Sequence, residues 1–158
     1  MNQTLYLLCG VPGSGKSTWG RAKAAAVGGT YISRDEVRFS LLKEGEDYFS
    51  HEKETWEIFK EKIQKAIDNG DENIIVDATH NNEKSRNMLL DQLKLGNVKL
   101  VGVDFNLPLE VCFAQNAQRT GRAFVPEEAI SKMWYAHTAP GKNSKYHYSE
   151  VIKIYKGV

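Results

Sequence analysis

Short apolar runs of strand length alternate along the chain with longer stretches in which apolar residues recur every three or four positions. Residues 4–9, Thr-Leu-Tyr-Leu-Leu-Cys, are apolar and closed by Gly10, as in a buried strand. Residues 16–27 read as an alanine-rich helix stopped at Gly28-Gly29. Thr30–Ser33 forms a second short strand, and Ser33-Arg-Asp-Glu36 fits a capping box, so a helix is expected from there to about Lys43. Trp56, Phe59, Ile63, Ala66 and Ile67 share one face of a helix over 51–69, between a cap at Ser50 and a stop at Asn69-Gly70. Asn73–Asp77 is the third strand, followed by a helix from about Glu83 to Leu95 that ends at Gly96. Val98–Phe105 is the fourth, and a helix from about Pro108 to Gln118 follows it. Pro126 opens a helix with Ile130, Met133, Trp134 and His137 on one face. Residues 139–145 form a loop, and Val151–Tyr155 alternates as a last strand. Trp56, Phe59, Met133 and Trp134 are expected in the core.

Strands separated by helices imply an α/β fold, with a mostly parallel sheet of about five strands, helices on both faces and ligands at the carboxyl ends of the strands. No repeat or linker divides residues 1–158, so one domain is expected. The 41% hydrophobic and 26% charged content is that of a soluble protein. No apolar run approaches the roughly 18 residues of a membrane span, and residues 1–10 lack the charged region and cleavage site of a secretory signal, so a cytoplasmic location is expected. Cys9 and Cys112 have no metal-ligand spacing and read as small buried hydrophobes.

The junction of first strand and first helix carries Gly10-Val-Pro-Gly-Ser-Gly-Lys-Ser-Thr18, a full match to the P-loop pattern. The alternative, a plain glycine-rich turn, leaves the spacing unexplained. In a P-loop the glycines let the backbone N–H groups point at a β-phosphate, the helix adds its positive end, Lys16 bridges β- and γ-phosphates, and the Ser17 hydroxyl ligates Mg²⁺. Gly10, Gly13, Ser14, Gly15, Lys16, Ser17 and Thr18 are therefore the expected nucleotide site, with ATP and Mg²⁺ as cofactors. The fold expected is the three-layer P-loop NTPase fold.

Asp35 and Arg38 project from one face of the helix after the second strand. They read equally as a general base with a phosphate-holding arginine on an acceptor, or as a dipole-complementing acid with a surface ion pair. Asp77 ends an apolar strand beside the P-loop, where it would contact Mg²⁺ or cap the next turn; Thr79 and Asn81 would assist there, and His80 reads as a loop residue. Arg119 and Arg122, with Lys132 farther on, are written like phosphate-binding residues of a small lid over about 119–126, or like charges that offset a helix dipole.

Together these residues resemble the kinase domain of phage-type 5′-polynucleotide kinases, within the wider group of small P-loop kinases of the AAA and zeta-toxin-like type. The resemblance covers nearly the whole chain. It rests on residues 10–19, on Ile32-Ser-Arg-Asp-Glu-Val-Arg38, on Val76-Asp-Ala-Thr79 and on Asn116-Ala-Gln-Arg119 leading to Val125-Pro126. It implies Asp35 as base toward a 5′-hydroxyl, Arg38 on the acceptor's 3′-phosphate, and Arg119 on the donor phosphates. The chain departs from the pattern at Gln115, where a basic residue is usual, and in lid length, so Arg119 and Arg122 are interchangeable in role. No Asp-x-Asp-x-Thr stretch occurs, and a fused 3′-phosphatase module is expected to be absent.

The activity expected is transfer of the ATP γ-phosphate to a hydroxyl, first the 5′-OH of single-stranded DNA or RNA. Net charge is only +1, which removes the signature of a nucleic-acid coat, though a strand end entering a narrow tunnel needs few contacts. A small-molecule kinase of the same fold, acting on a nucleoside, nucleotide sugar or antibiotic hydroxyl, would differ by a pocket closed by residues 38–60. A non-catalytic ATP-binding module is the third reading. Residues 139–148 are a candidate base-binding segment by position.

Overall fold

The computed structural model describes residues 2–119, 125–141 and 144–155. The chain runs β1 (Thr4–Cys9), α1 (Lys16–Val27), β2 (Thr30–Ser33), α2 (Arg34–Leu41), α3 (Glu52–Asp68), β3 (Asn73–Asp77), α4 (Glu83–Leu90), β4 (Lys99–Phe105), α5 (Leu109–Ala117), α6 (Glu127–Ala136) and β5 (Tyr148–Ile154). The five strands form one sheet in the order β2-β3-β1-β4-β5, and every pairing is parallel. This is the α/β P-loop fold expected, with a wholly rather than mostly parallel sheet.

Strand alternation sorts the core into two layers. Leu5, Leu7, Ile32, Ile74, Val76 and Leu100 meet Phe59, Ile63 and Ile67 of α3 and Leu89 and Leu90 of α4. On the other face Leu8, Ile75, Val101, Val103 and Phe105 meet Cys112 of α5 and Ile130 of α6. Both cysteines are buried and unpaired, as expected. None of the helices among the described residues is long and apolar enough to cross a membrane.

Local chemistry moves several boundaries. Ser33 caps α2, its Oγ accepting from the Glu36 N–H at 3.2 Å. The reciprocal half of the box is missing, because the Glu36 carboxylate is taken by Arg21 at 2.8 Å. The full capping box stands at Asn82 and Ser85. Helix α2 stops at Leu41 rather than Lys43, since Leu42 is extended and the Lys43 N–H is drawn to the Glu46 carboxylate at 2.7 Å. His51, not Ser50, precedes α3, without a side-chain cap. Helix α4 ends at Leu90, five residues early: Gln92 and Leu93 bond to carbonyls three residues back, a tightened turn that brings Leu93 into the core. Strand β5 starts at Tyr148, three residues ahead of Val151, with an irregular register opposite Leu100/Val101. Phe59 is fully buried, and Trp134 is partly buried with its indole N–H donating to the Leu107 carbonyl at 2.8 Å. Trp56 and Met133, read as core, are partly buried and pack against the two core clusters, and both also line a cleft.

Candidate active site

The parallel register levels the carboxyl ends of three strands by pairing Asp77 with both Leu8 and Ser33. The loops that leave these ends line one cleft of about 1030 Å³, at the edge where such sheets place their ligands.

The glycine-rich loop leaves β1 at Gly10 and enters α1 at Lys16. Gly13 and Gly15 have φ of +83° and +90°, the left-handed region glycine adopts readily. A side chain at Gly13 would also run into the Cys112 carbonyl of α5. The Gly10 N–H donates to the Thr79 carbonyl at 3.0 Å and that of Ser14 to Val11 at 3.1 Å; Gln115 Nε2 donates to the Gly13 carbonyl. No side chain caps α1, so its first N–H groups remain available to an anion. Lys16 Nζ folds back to the Val11 carbonyl at 3.4 Å. Gly13, Gly15, Lys16, Ser17 and Thr18 line the cleft, while Gly10 and Ser14 are buried behind it.

Ser17 Oγ donates to Asp77 Oδ2 at 2.8 Å, and the Tyr31 hydroxyl donates to the same oxygen. Burial, with the Asp77 charge next, pushes the Tyr31 hydroxyl well above the usual phenol range. No cluster of three or more His, Cys, Asp or Glu able to hold a metal occurs among the described residues. A divalent ion here would rely on one hydroxyl, one carboxylate, and oxygens of nucleotide and water, a donor set that fits Mg²⁺.

The opposite wall is built from α2 and the segment before α3. Arg38 has a side chain only 7% exposed, against 44% for Asp35. Its Nε and Nη2 donate to Glu52 at 3.0 and 2.7 Å. Its Nη1 donates to Asp35 and to the Tyr48 hydroxyl at 2.7 Å. Tyr48 in turn donates to Asp35 Oδ1 at 2.9 Å. Leu42, Tyr48, Phe49 and Trp56 continue this wall.

Between the walls run Thr79, His80 and Asn81, all facing the cleft. His80, read as a loop residue, is a buried structural one: its φ is +42°, and Nδ1, which must carry the proton, donates to the Leu8 carbonyl at 2.8 Å. Burial pushes its pKa down to about 4, so at neutral pH it is uncharged. Arg86 lies behind it, 2% exposed, with Nη1 donating to the carbonyls of His80 and Thr138 at 2.9 Å each.

Arg119 reaches the cleft from just beyond α5. Arg122, and the lid segment 120–124 around it, lie outside the described residues. Asn116 is buried and bonds both polar groups of Val125, Nδ2 to O at 2.6 Å and Oδ1 from N at 3.1 Å, which sets the spacing between α5 and α6. Lys132 is exposed, 4.0 Å from Glu128 and away from the cleft. The described residues of 139–148 do not line the cleft either, because β5 begins at the far side of β4. Tyr31, Tyr48, Glu52 and Arg86 went unmarked in the sequence. Glu52 looks like any acid in a first helical turn, and Tyr48 sits in a stretch with no periodicity.

The family described as AAA domain matches residues 5–140. Among solved structures, a gluconokinase from Sinorhizobium meliloti 1021 superposes with a TM-score of 0.60 at 18% identity, covering 95% of this chain and 81% of that one. A chain of the Pnkp1/Rnl/Hen1 RNA repair complex gives 0.69 at 22% identity, covering 85% of this chain but 44% of that one. Kti12 from Chaetomium thermophilum in complex with ADP-AlF3 gives 0.65 at 14% identity, covering 96% and 88%. At these identities the likeness is one of fold. No curated protein matches the chain in sequence.

Proposed function

The chain belongs to the AAA domain family, which it matches over residues 5–140, and from that premise we propose that it is an ATP-dependent kinase acting on a hydroxyl, the 5′-OH of a DNA or RNA strand. One observation carries the reading. The P-loop residues Lys16 and Ser17 and the carboxylate of Asp35 line the same cleft from opposite walls, which is the arrangement an in-line transfer needs.

In this reading residues 10–18 cradle the phosphates and Lys16 neutralises charge on the γ-phosphate. Mg²⁺, held by Ser17 and Asp77, would spread the remaining phosphate charge. Asp35 takes the proton from the acceptor hydroxyl as its oxygen attacks the γ-phosphorus; the bond to the bridging oxygen breaks and ADP leaves. Arg38, fixed by Glu52, positions Asp35. Arg119 and Arg122 act from the lid on the transferring group. A nucleic-acid acceptor is supported by the likeness of fold to a chain of an RNA repair complex, and a single strand end entering one cleft needs few contacts.

A small-molecule acceptor is the second reading, favoured by the apolar and aromatic wall of Leu42, Tyr48, Phe49 and Trp56 that lines the acceptor side. Transfer from γ-labelled ATP with Mg²⁺ separates the two. Label on a 5′-hydroxyl oligonucleotide, and none on its 5′-phosphorylated control, is the expected result; label on nucleosides or sugars alone would move the assignment to the second reading.

A further inference from the structure

Asn81 stands between the walls of the cleft, and a buried ion pair behind it decides which way its amide faces. Helix α6 ends at Ala136. His137, next in the chain, turns a side chain only 9% exposed onto the Asp104 carboxylate of β4, itself 4% exposed. Its Nε2 lies 2.6 Å from Asp104 Oδ1 and its Nδ1 3.3 Å from Asn81 Oδ1. The backbones are joined as well, the Thr138 N–H donating to the Asn81 carbonyl at 2.9 Å.

Both ring nitrogens therefore face oxygens that accept, one of a carboxylate and one of an amide. A neutral imidazole has a single N–H and would set a lone pair against one of them, so the ring carries both protons. The surrounding charges agree. Asp104 has no other side-chain hydrogen bond among the described residues, and a buried carboxylate is costly without a cation. Its neighbours in the sheet are Cys9 and Lys153. Burial pushes the Cys9 thiol up to about 12, so it is neutral, and Lys153 is exposed. Arg86, the buried cation of α4, spends its bonds on His80, Thr138 and Ala139.

With its oxygen held by His137, Asn81 has both amide N–H donors left for the cleft that it lines, and neither has a partner among the described residues. A neutral donor of this kind matches an uncharged oxygen, such as a hydroxyl, an ether or a carbonyl. We propose that Asn81 reads an uncharged oxygen of the acceptor through its amide N–H, and that His137 and Asp104 are positioning residues that keep this donor face toward the cleft. This rests on the kinase reading of the cleft. Loss of the imidazolium frees the amide to turn, and its oxygen would then meet the acceptor's lone pairs.

The test compares transfer to a 5′-hydroxyl oligonucleotide in wild type, Asn81→Ala, Asp104→Asn and the double variant. Asn81→Ala is expected to raise the acceptor KM about five-fold, the scale of one neutral hydrogen bond, with kcat and the KM for ATP within about two-fold. Asp104→Asn should reproduce that rise, and in the Asn81→Ala background it should add nothing to it, because both changes act through one donor. Additive effects in the double variant would make Asp104 merely structural and overturn its positioning role. Nitrogen NMR of the imidazole in the unsubstituted chain needs neither turnover nor a variant. Both His137 nitrogens should carry protons at neutral pH, and a bare nitrogen would overturn the inference. An unchanged acceptor KM in Asn81→Ala, with transfer intact, would also overturn it and leave the kinase reading standing. A protonated ring and weaker oligonucleotide binding in Asn81→Ala by calorimetry, without transfer to any acceptor, would support the donor and sink the kinase reading.

Discussion

Arg38 and Glu52 are joined by two parallel hydrogen bonds, Nε to Oε2 at 3.0 Å and Nη2 to Oε1 at 2.7 Å, across the gap between α2 and the start of α3. Such a fork fixes a guanidinium in both position and plane. The remaining nitrogen, Nη1, is thereby aimed at Asp35, and the Tyr48 hydroxyl closes the triangle. Glu52→Gln keeps the shape and removes the charge. Turnover is expected to fall about ten-fold as Arg38 reorients, and denaturant unfolding should show a loss of about 1–3 kcal/mol, the scale of charged hydrogen bonds. Unchanged values of both would mean that the fork does not support Asp35.

Asp35 itself is half open to the cleft and accepts from two donors, which leaves lone pairs for a hydroxyl proton. Asp35→Asn should retain ATP binding, measured by calorimetry, while γ-phosphate transfer falls by about 10² or more, the contribution of a general base. Turnover at the wild-type rate would remove Asp35 from that role.

The strands and the P-loop were legible in the sequence because each follows from local chemistry: apolar runs of fixed length, glycines where φ turns positive, a serine cap on α2. The site's supporting residues were not. Tyr48 reaches Asp35 and Glu52 reaches Arg38 only through the fold, across 13 and 14 residues of chain, and neither sits in a pattern that periodicity can find. Arg86 reads as a polar helix residue until the sheet buries it. The short end of α4 was missed for a related reason, because Leu93 leaves the helix to serve a core that the sequence alone does not locate. Trp56 and Met133 pack against the core as their spacing predicts, but spacing does not show that they also line a cleft.

Tyr31 bonds the same carboxylate oxygen of Asp77 as Ser17 does, so it fixes the carboxylate's rotation from behind. Partners of this kind typically change metal affinity by about ten-fold or more. Tyr31→Phe should weaken Mn²⁺ binding in the presence of nucleotide, followed by paramagnetic relaxation, and raise the Mg²⁺ concentration needed for half-maximal activity. The rate at saturating Mg²⁺ should recover. A lower rate that excess metal does not restore would give Tyr31 a different part.

His80 has its folded pKa near 4, below the ordinary value of about 6.5. Between those limits the unfolded chain takes up a proton that the folded chain refuses, so stability drops as pH falls from about 6.5 toward 4 and is fully restored above that window. His80→Asn tolerates the positive φ and can still donate to the Leu8 carbonyl. Wild type should therefore lose up to about 3 kcal/mol more than His80→Asn between pH 7.5 and 4.5, read from denaturant midpoints. Parallel pH profiles would show that His80 protonates freely in the folded state.

Arg86 donates to His80 O, Thr138 O, Thr138 Oγ1 at 3.2 Å and Ala139 O at 3.4 Å. Arg86→Met has two opposed effects. It removes a buried cation, which by itself can be neutral or favourable when an apolar side chain fills the space. It also strips donors from the carbonyls of His80, Thr138 and Ala139, of which that of buried His80 is the one left without water, at about 1–3 kcal/mol. With the His80 carbonyl left unsatisfied the second effect should prevail, for a net loss of about 1–2 kcal/mol. The loss should be local in its consequence, because the loop holding His80 also carries Thr79, whose carbonyl accepts from the Gly10 N–H of the P-loop at 3.0 Å. The KM for ATP should accordingly rise with the loss of stability, and Arg86→Lys should restore part of both. Destabilisation without any change in ATP affinity would show that the Thr79 bond holds the P-loop on its own.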